Sequence, residues 1–188
     1  MTDALCPDAD LEAVVRAMES DGGEMGQLDR LLASFPDDAR LHFLRGSSLA
    51  AIGRPIEAFA SLRRAVDLAP DFAIARFQLG FFQLTSGEAA AALESWGPLA
   101  LLPENHYLRE FVAGLTFLIR DDFADALEHL RAGMAANEEN APLNRDMQLI
   151  ADQVVQLIAA PPPQGEAEAA SATSFLLDQI GAPGGRPN

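Results

Sequence analysis

Residues 73–106 read AIARFQLGFFQLTSGEAAAALESWGPLALLPENH, and they carry the register that organises the chain. Gly80 in this stretch has counterparts 34 residues away on either side, Gly46 and Gly114. Phe77 is flanked in the same way by Phe43 and Phe111, and Ala92 by Ala58 and Ala126. Trp96 belongs to a fourth series with Leu62 and Leu130, which Leu28 extends one period toward the N-terminus. Four series at one spacing mark an internal repeat. A repeat of this length is one supersecondary unit that buries its apolar face against its neighbours.

Each period reads as two helices joined by a short turn. The first helices lie near 40–52, 74–86 and 108–120, the second near 55–68, 88–101 and 123–136. The turns fall at Gly53-Arg54-Pro55, Ser86-Gly87-Glu88 and Arg120-Asp121-Asp122. Pro55 suits a first helical turn, where its missing N–H would have no partner anyway. Ser86 and Asp122 are candidate caps for the free N–H groups of the second helices, and Pro70 and Pro103 end the pairs. A mid-helix glycine costs about 1 kcal/mol relative to alanine. Three at one phase therefore imply close approach of the paired helix, with Ala58, Ala92 and Ala126 as the small opposing surface and Leu62, Trp96 and Leu130 filling the space between neighbouring pairs.

On these residues the chain resembles the tetratricopeptide repeat family, whose 34-residue pattern is W-x2-L-G-x2-Y…A-x3-F…P. Leu79-Gly80 with Ala92-x3-Trp96 is the best match. Gly46, Leu49, Ala58-x3-Leu62 and Pro70 match or substitute conservatively, as do Gly114, Phe117 and Ala126-x3-Leu130. The motif's tryptophan falls on His42, Arg76 and Glu110; its proline arrives one residue early at Pro103 and is Glu138 in the last repeat. The resemblance covers about residues 38–140. It implies an all-α fold, a right-handed superhelical stack of antiparallel helix pairs, with repeats at 39–72, 73–106 and 107–140.

The ends complete the stack. Residues 1–38 read as a degenerate N-terminal helical pair acting as a cap, with Leu11, Val14, Val15 and Met18 on one stripe and Leu28 in its second helix. Asn140 is a cap for a C-terminal helix over 141–160, with Met147, Ile150, Val154, Leu157 and Ile158 on one side, the solvating end that a stacked array requires. Residues 161–188 open on Pro161-Pro162-Pro163, a linker in composition. They continue into a short amphipathic segment carrying Phe175, Leu176, Leu177 and Ile180.

Composition narrows the function classes. Among 188 residues, 28 are acidic and 13 basic, a formal charge of −15, and every basic residue is arginine. The acid excess argues against nucleic acid and anionic membranes, which need a basic face, and a catalytic lysine is excluded. One cysteine, Cys6, rules out an internal disulfide framework. It reads as lying in a mobile terminus without a basic neighbour to lower its pKa. The start lacks the pattern of a signal peptide and no stretch is apolar enough to span a bilayer, so a cytoplasmic location is expected.

Enzyme signatures are scarce. There is no Gly-rich phosphate loop, no G-x-S-x-G and no H-E-x-x-H. His42, His106 and His129 have no partner at metal-ligand spacing. His42 and His129 read as helix packing, and Asp121-Asp122 as carboxylates at a helix N-terminus. No catalytic residue, metal or cofactor is expected.

The informative surface is the face of the first helices. At i, i+4, i+7 spacing it presents Phe43, Ser47 and Ala50; then Phe77, Phe81 and Leu84; then Phe111, Leu115 and Leu118. Ile74 and Leu108 extend it. The glycines lie on the opposite stripe, so these side chains are expected to be exposed. A large exposed apolar patch marks a binding site. The resemblance implies that this face lines a concave groove holding a peptide. The carboxylate-binding version of the family uses lysine and asparagine there, whereas this chain has phenylalanine and leucine. The expected role is thus non-catalytic binding of an apolar, basic-flanked segment of another protein, as adaptor, assembly factor or chaperone. Size, acidity and groove hydrophobicity are also similar to the class II chaperones of type III secretion. The alternative is a self-assembling or self-capped component, in which residues 171–180 fill the groove in cis or in trans, with homo-oligomers as one outcome.

Overall fold

A computed structural model describes residues 5–19 and 24–159, and every regular element among them is helical. The order is α1 (Asp8–Glu19), α2 (Glu24–Ser34), α3 (Ala39–Ala51), α4 (Pro55–Leu68), α5 (Ala73–Thr85), α6 (Ala89–Trp96), a short 3-10 turn (Gly97–Leu101), α7 (Tyr107–Ile119), α8 (Phe123–Ala136) and α9 (Ala141–Ala159). None is long and apolar enough to cross a membrane. The chain divides into two compact units, one through Leu79 and one from Gly80.

In the first unit α3 and α4 form a hairpin. Its contact turns on Gly46: a Cβ built there would stand 2.7 Å from Leu62 Cγ. In the second unit Gly80 bears in the same way on the Trp96 indole, and Gly114 on Leu130. The period is therefore structural, but one expectation is corrected. The glycines make room chiefly for the bulky residue of their own hairpin rather than for the alanine side chain, so Leu62, Trp96 and Leu130 help form the contact within each pair. Ala58, Ala92 and Ala126 are nonetheless fully buried.

The turns repeat as closely. Gly53, Gly87 and Asp121 all have positive φ, at 71°, 81° and 60°. Each is followed by a residue whose N–H donates five residues back: Arg54 to Leu49, Glu88 to Gln83, Asp122 to Phe117. The positive-φ residues themselves donate to Ala50, Leu84 and Leu118. This is the paired hydrogen-bond closure of a helix C-terminus that a left-handed residue permits. The chain stops by backbone geometry. Accordingly neither expected cap forms: α6 begins after Glu88 rather than Ser86, and Asp122 makes no side-chain bond to the α8 N-terminus.

Caps appear instead at the starts of α3, α7 and α9. The Asp38 carboxylate accepts from Arg40 N–H, His106 Nδ1 from Leu108 N–H and Asn140 Oδ1 from Leu143 N–H. Residues 38, 106 and 140 share one phase, and the Asn140 cap was legible in advance. His42 and Arg76, which stand where the repeat pattern has tryptophan, each bond a carbonyl six residues back, Pro36 and Pro70. At these positions polar ties replace a bulky ring. The second helix of the middle period is shorter than its spacing suggests. It stops at Trp96 and tightens into the 3-10 turn, because Pro98 has no N–H to donate and its ring crowds the preceding turn.

At the chain's start α1 and α2 pack on α3 through Cys6, Val14, Leu28 and Leu41, all buried, with Leu11, Met18, Met25, Leu31, Leu32, Phe35 and Leu44 partly buried around them. In the second unit α9 packs Leu143, Met147, Ile150, Ala151 and Val154 inward, while Ile158 is 54% exposed, so the packed face ends before the helix does. Phe175, Leu176, Leu177 and Ile180 lie outside the described residues.

Candidate functional site

Apart from Ala50, the side chains expected to form an exposed apolar face separate into two groups. Phe77 in the first unit is fully buried, and so are Leu84, Leu108, Phe111, Leu115 and Leu118 in the second, none more than 1% exposed. Their expected exposure is corrected: they are core. Phe111 shows the physical reason, since a methyl group at Gly133 of α8 would run into its ring. The phenylalanine faces its own partner helix, and the Tyr107 ring meets it edge-on at 5.9 Å. Leu99 and Ala65 precede Gly133 by one and two periods and are likewise buried.

Phe43, Ser47, Ile74 and Phe81 are half-buried and remain reachable from solvent. Three of them belong to the first unit. Phe43 there meets the ring of Phe72, also half-buried, in an edge-on contact with centroids 5.4 Å apart. Phe72 was not singled out from the sequence. It holds the pair-start phase that Asp38 and His106 hold as caps, so it gains a ring where they supply a hydrogen-bond acceptor.

The second unit carries a polar cluster between α7 and α8. His129 Nδ1 lies 2.8 Å from Glu110 Oε2, and its ring stacks on Phe117 with planes 10° apart. His129 thus packs between helices, as read from sequence. His106 stacks on Tyr107 at 4.9 Å. Burial pushes the Tyr107 phenol up, and the Glu139 charge adds to it. Asn137, buried, donates to Asn144 Oδ1 and to the Asn140 carbonyl, and its own oxygen accepts from Asn140 N–H. Asn144 donates back to the Met134 and Asn137 carbonyls, tying α8 to α9.

The densest electrostatic site lies where the N-terminal segment meets α3. Asp38 is 1% exposed. It accepts from Cys6 N–H at 2.9 Å, from Arg40 N–H at 2.9 Å and from the Arg40 guanidinium at 2.8 and 3.0 Å. Arg40 also donates to the Cys6 carbonyl and to Asp8 Oδ1, both at 2.8 Å. Burial alone would raise the Asp38 carboxyl. The hydrogen bonds from the Arg40 side chain and the two N–H groups outweigh it, and the pKa lies below the usual carboxylate value. Arg40 is held above its own ordinary value, chiefly by Asp38. The reading of Cys6 as mobile and without a basic neighbour is corrected: the thiol is buried with Arg40 beside it. Its pKa is nevertheless raised, by burial first and then by Asp10 and Asp38, which Arg40 only partly offsets.

Chemically, these groups lock backbone and helix ends. Among the described residues no cluster of three or more His, Cys, Asp or Glu side chains could hold a metal ion. No family model and no curated protein matches the sequence.

Proposed function

We propose that the chain is a non-catalytic protein-interaction module of the tetratricopeptide-repeat kind, its helix pairs stacked in a right-handed superhelix, acting in the cytoplasm as an adaptor, assembly factor or chaperone. The observation that carries this reading is the half-buried apolar set Phe43, Phe72 and Ile74 in the first unit. These side chains stand on a scaffold whose hairpin contact is already made by Gly46 and Leu62. Aromatic side chains that are held but incompletely covered are the usual anchors of an interface. The partner is an apolar segment of another protein. Its flanks are basic, because ten of the 28 acidic residues fall within the first 38 positions and attract positive charge.

The test is selection of displayed peptides against the full chain. Apolar sequences with arginine or lysine flanks should be enriched, and Phe43→Asp should weaken their binding at least tenfold (about 1.4 kcal/mol) with unchanged far-UV circular dichroism. A library without enriched sequences, or full binding by the variant, would overturn the reading. Phe77 and Phe111 are unsuitable for this test, since a charge at either buried position would unfold the protein.

A second reading is self-capping by residues 171–180 in cis or in trans, with Phe175, Leu176, Leu177 and Ile180 covering the half-buried set Phe43, Phe72 and Ile74. On that reading a chain ending at Ala160 binds more of a hydrophobic dye or loses an oligomer seen by light scattering. A truncated chain unchanged in both measurements sinks it.

A further inference from the structure

The N-terminal segment is held in an unusual way for a chain end. One residue, Cys6, has both backbone polar groups taken by charged side chains: its N–H by Asp38 and its carbonyl by Arg40. Two residues on, the Asp8 carboxylate reaches the other guanidinium nitrogen. Arg40 is thus shared among Asp38, Cys6 and Asp8, and Asp38 is shared between α3 and the segment. Beneath this clamp the packing is thin. Only Cys6, Val14, Leu28 and Leu41 are buried, and seven apolar neighbours, two of them methionines, are only partly covered. The α3–α4 hairpin differs: its two helices meet along far more of their length than α1 or α2 meets α3. A region with few fully buried contacts and a concentrated polar tie opens at lower free energy than the core beside it.

We propose that Asp38 and Arg40 form a latch: they hold residues 5–8 shut over α3, and when the clamp parts, the segment and the α1–α2 pair swing off together and bare the Leu41–Leu44 side of α3. The latch can part without loss of α3. The Asp38 cap on Arg40 N–H is local to that helix and survives release of the segment. The opened form presents an apolar strip that the closed form lacks, so the latch sets how much of that strip is available at any moment. It goes beyond the binding role proposed above and does not depend on what the other faces bind.

The single thiol reports on the latch. Cys6 is 2% exposed when shut, so a reagent reaches its thiol only through local opening or global unfolding. The experiment is thiol labelling of the full chain by a small disulfide reagent at fixed pH, across low urea concentrations. Labelling should be slow, and its rate nearly independent of urea until global unfolding begins, because little surface is exposed in a local opening. Arg40→Gln should speed labelling at least tenfold at zero urea while the global unfolding midpoint moves much less. Asp8→Asn, at a side chain 87% exposed, should speed it two- to threefold without risk to the fold. Labelling that follows urea with the full unfolding slope would overturn the latch, since Cys6 would then open only with the whole unit. So would Arg40→Gln and Asp8→Asn variants that label at the parent rate.

Discussion

Gly80→Ala is expected to lower stability by about 2–3 kcal/mol, although alanine is the better helix former by about 1 kcal/mol. The new methyl group would meet the Trp96 ring, with Cδ1 at 2.6 Å and Cε2 at 2.7 Å, and the indole is 1% exposed. A rigid, enclosed ring has nowhere to go, so α5 or α6 must shift. The control is Gly26→Ala in α2, where a Cβ meets nothing within 4 Å; there the propensity gain should stand alone and stabilise slightly. Chemical denaturation of the two variants reads both effects. A Gly80→Ala protein as stable as the parent would show that the glycine series does not serve helix contact.

Asp38→Ala carries the second large effect, about 3 kcal/mol, from three losses at once. The α3 N-terminus loses its cap, which alone is worth about 1 kcal/mol. Cys6 N–H is left buried and unbonded, and the Arg40 guanidinium loses the partner of two of its four hydrogen bonds. The pH dependence gives a sharper test. The folded Asp38 pKa lies below its unfolded value of 3.8, so its contribution is fully present above that value. It is lost as pH falls through 3.8 toward the lower folded value. The stability difference between parent and Asp38→Asn should therefore be constant near neutrality and shrink steadily below about pH 4. A difference that persists unchanged into strong acid would show that the charge does not matter.

The hairpin period was readable because its four series are carried by residues of distinctive size: glycine, alanine, phenylalanine and a bulky apolar group. Asn140 was readable because caps have a short list of residue types. What sequence could not assign was direction. Phe111 and Leu115 have the spacing of a free face, and helical periodicity says only that residues share a side, not what lies against it. The deciding residue is Gly133, on the next helix, whose missing side chain lets the Phe111 ring in.

Turn chemistry hid in a similar way. Gly53 and Gly87 announce left-handed residues, whereas Asp121 occupies the same conformation as an aspartate and invites a capping interpretation. The Asp38–Arg40 clamp was illegible because its partners, Cys6 and Asp8, are some 30 residues away in a stretch without periodicity.

The 34-residue phase of turns and helix starts bears on how such a chain can change length. Each hairpin keeps its main contact internal, Gly46 on Leu62 and Gly114 on Leu130. The acceptors at 38, 106 and 140 stand at the seams. A duplication or deletion of one whole period rejoins the chain at an equivalent seam, with a stop, a start and a filled glycine notch in every hairpin. Insertions of any other length would break that phase, so gain and loss in homologous genes should come in steps of 34 codons.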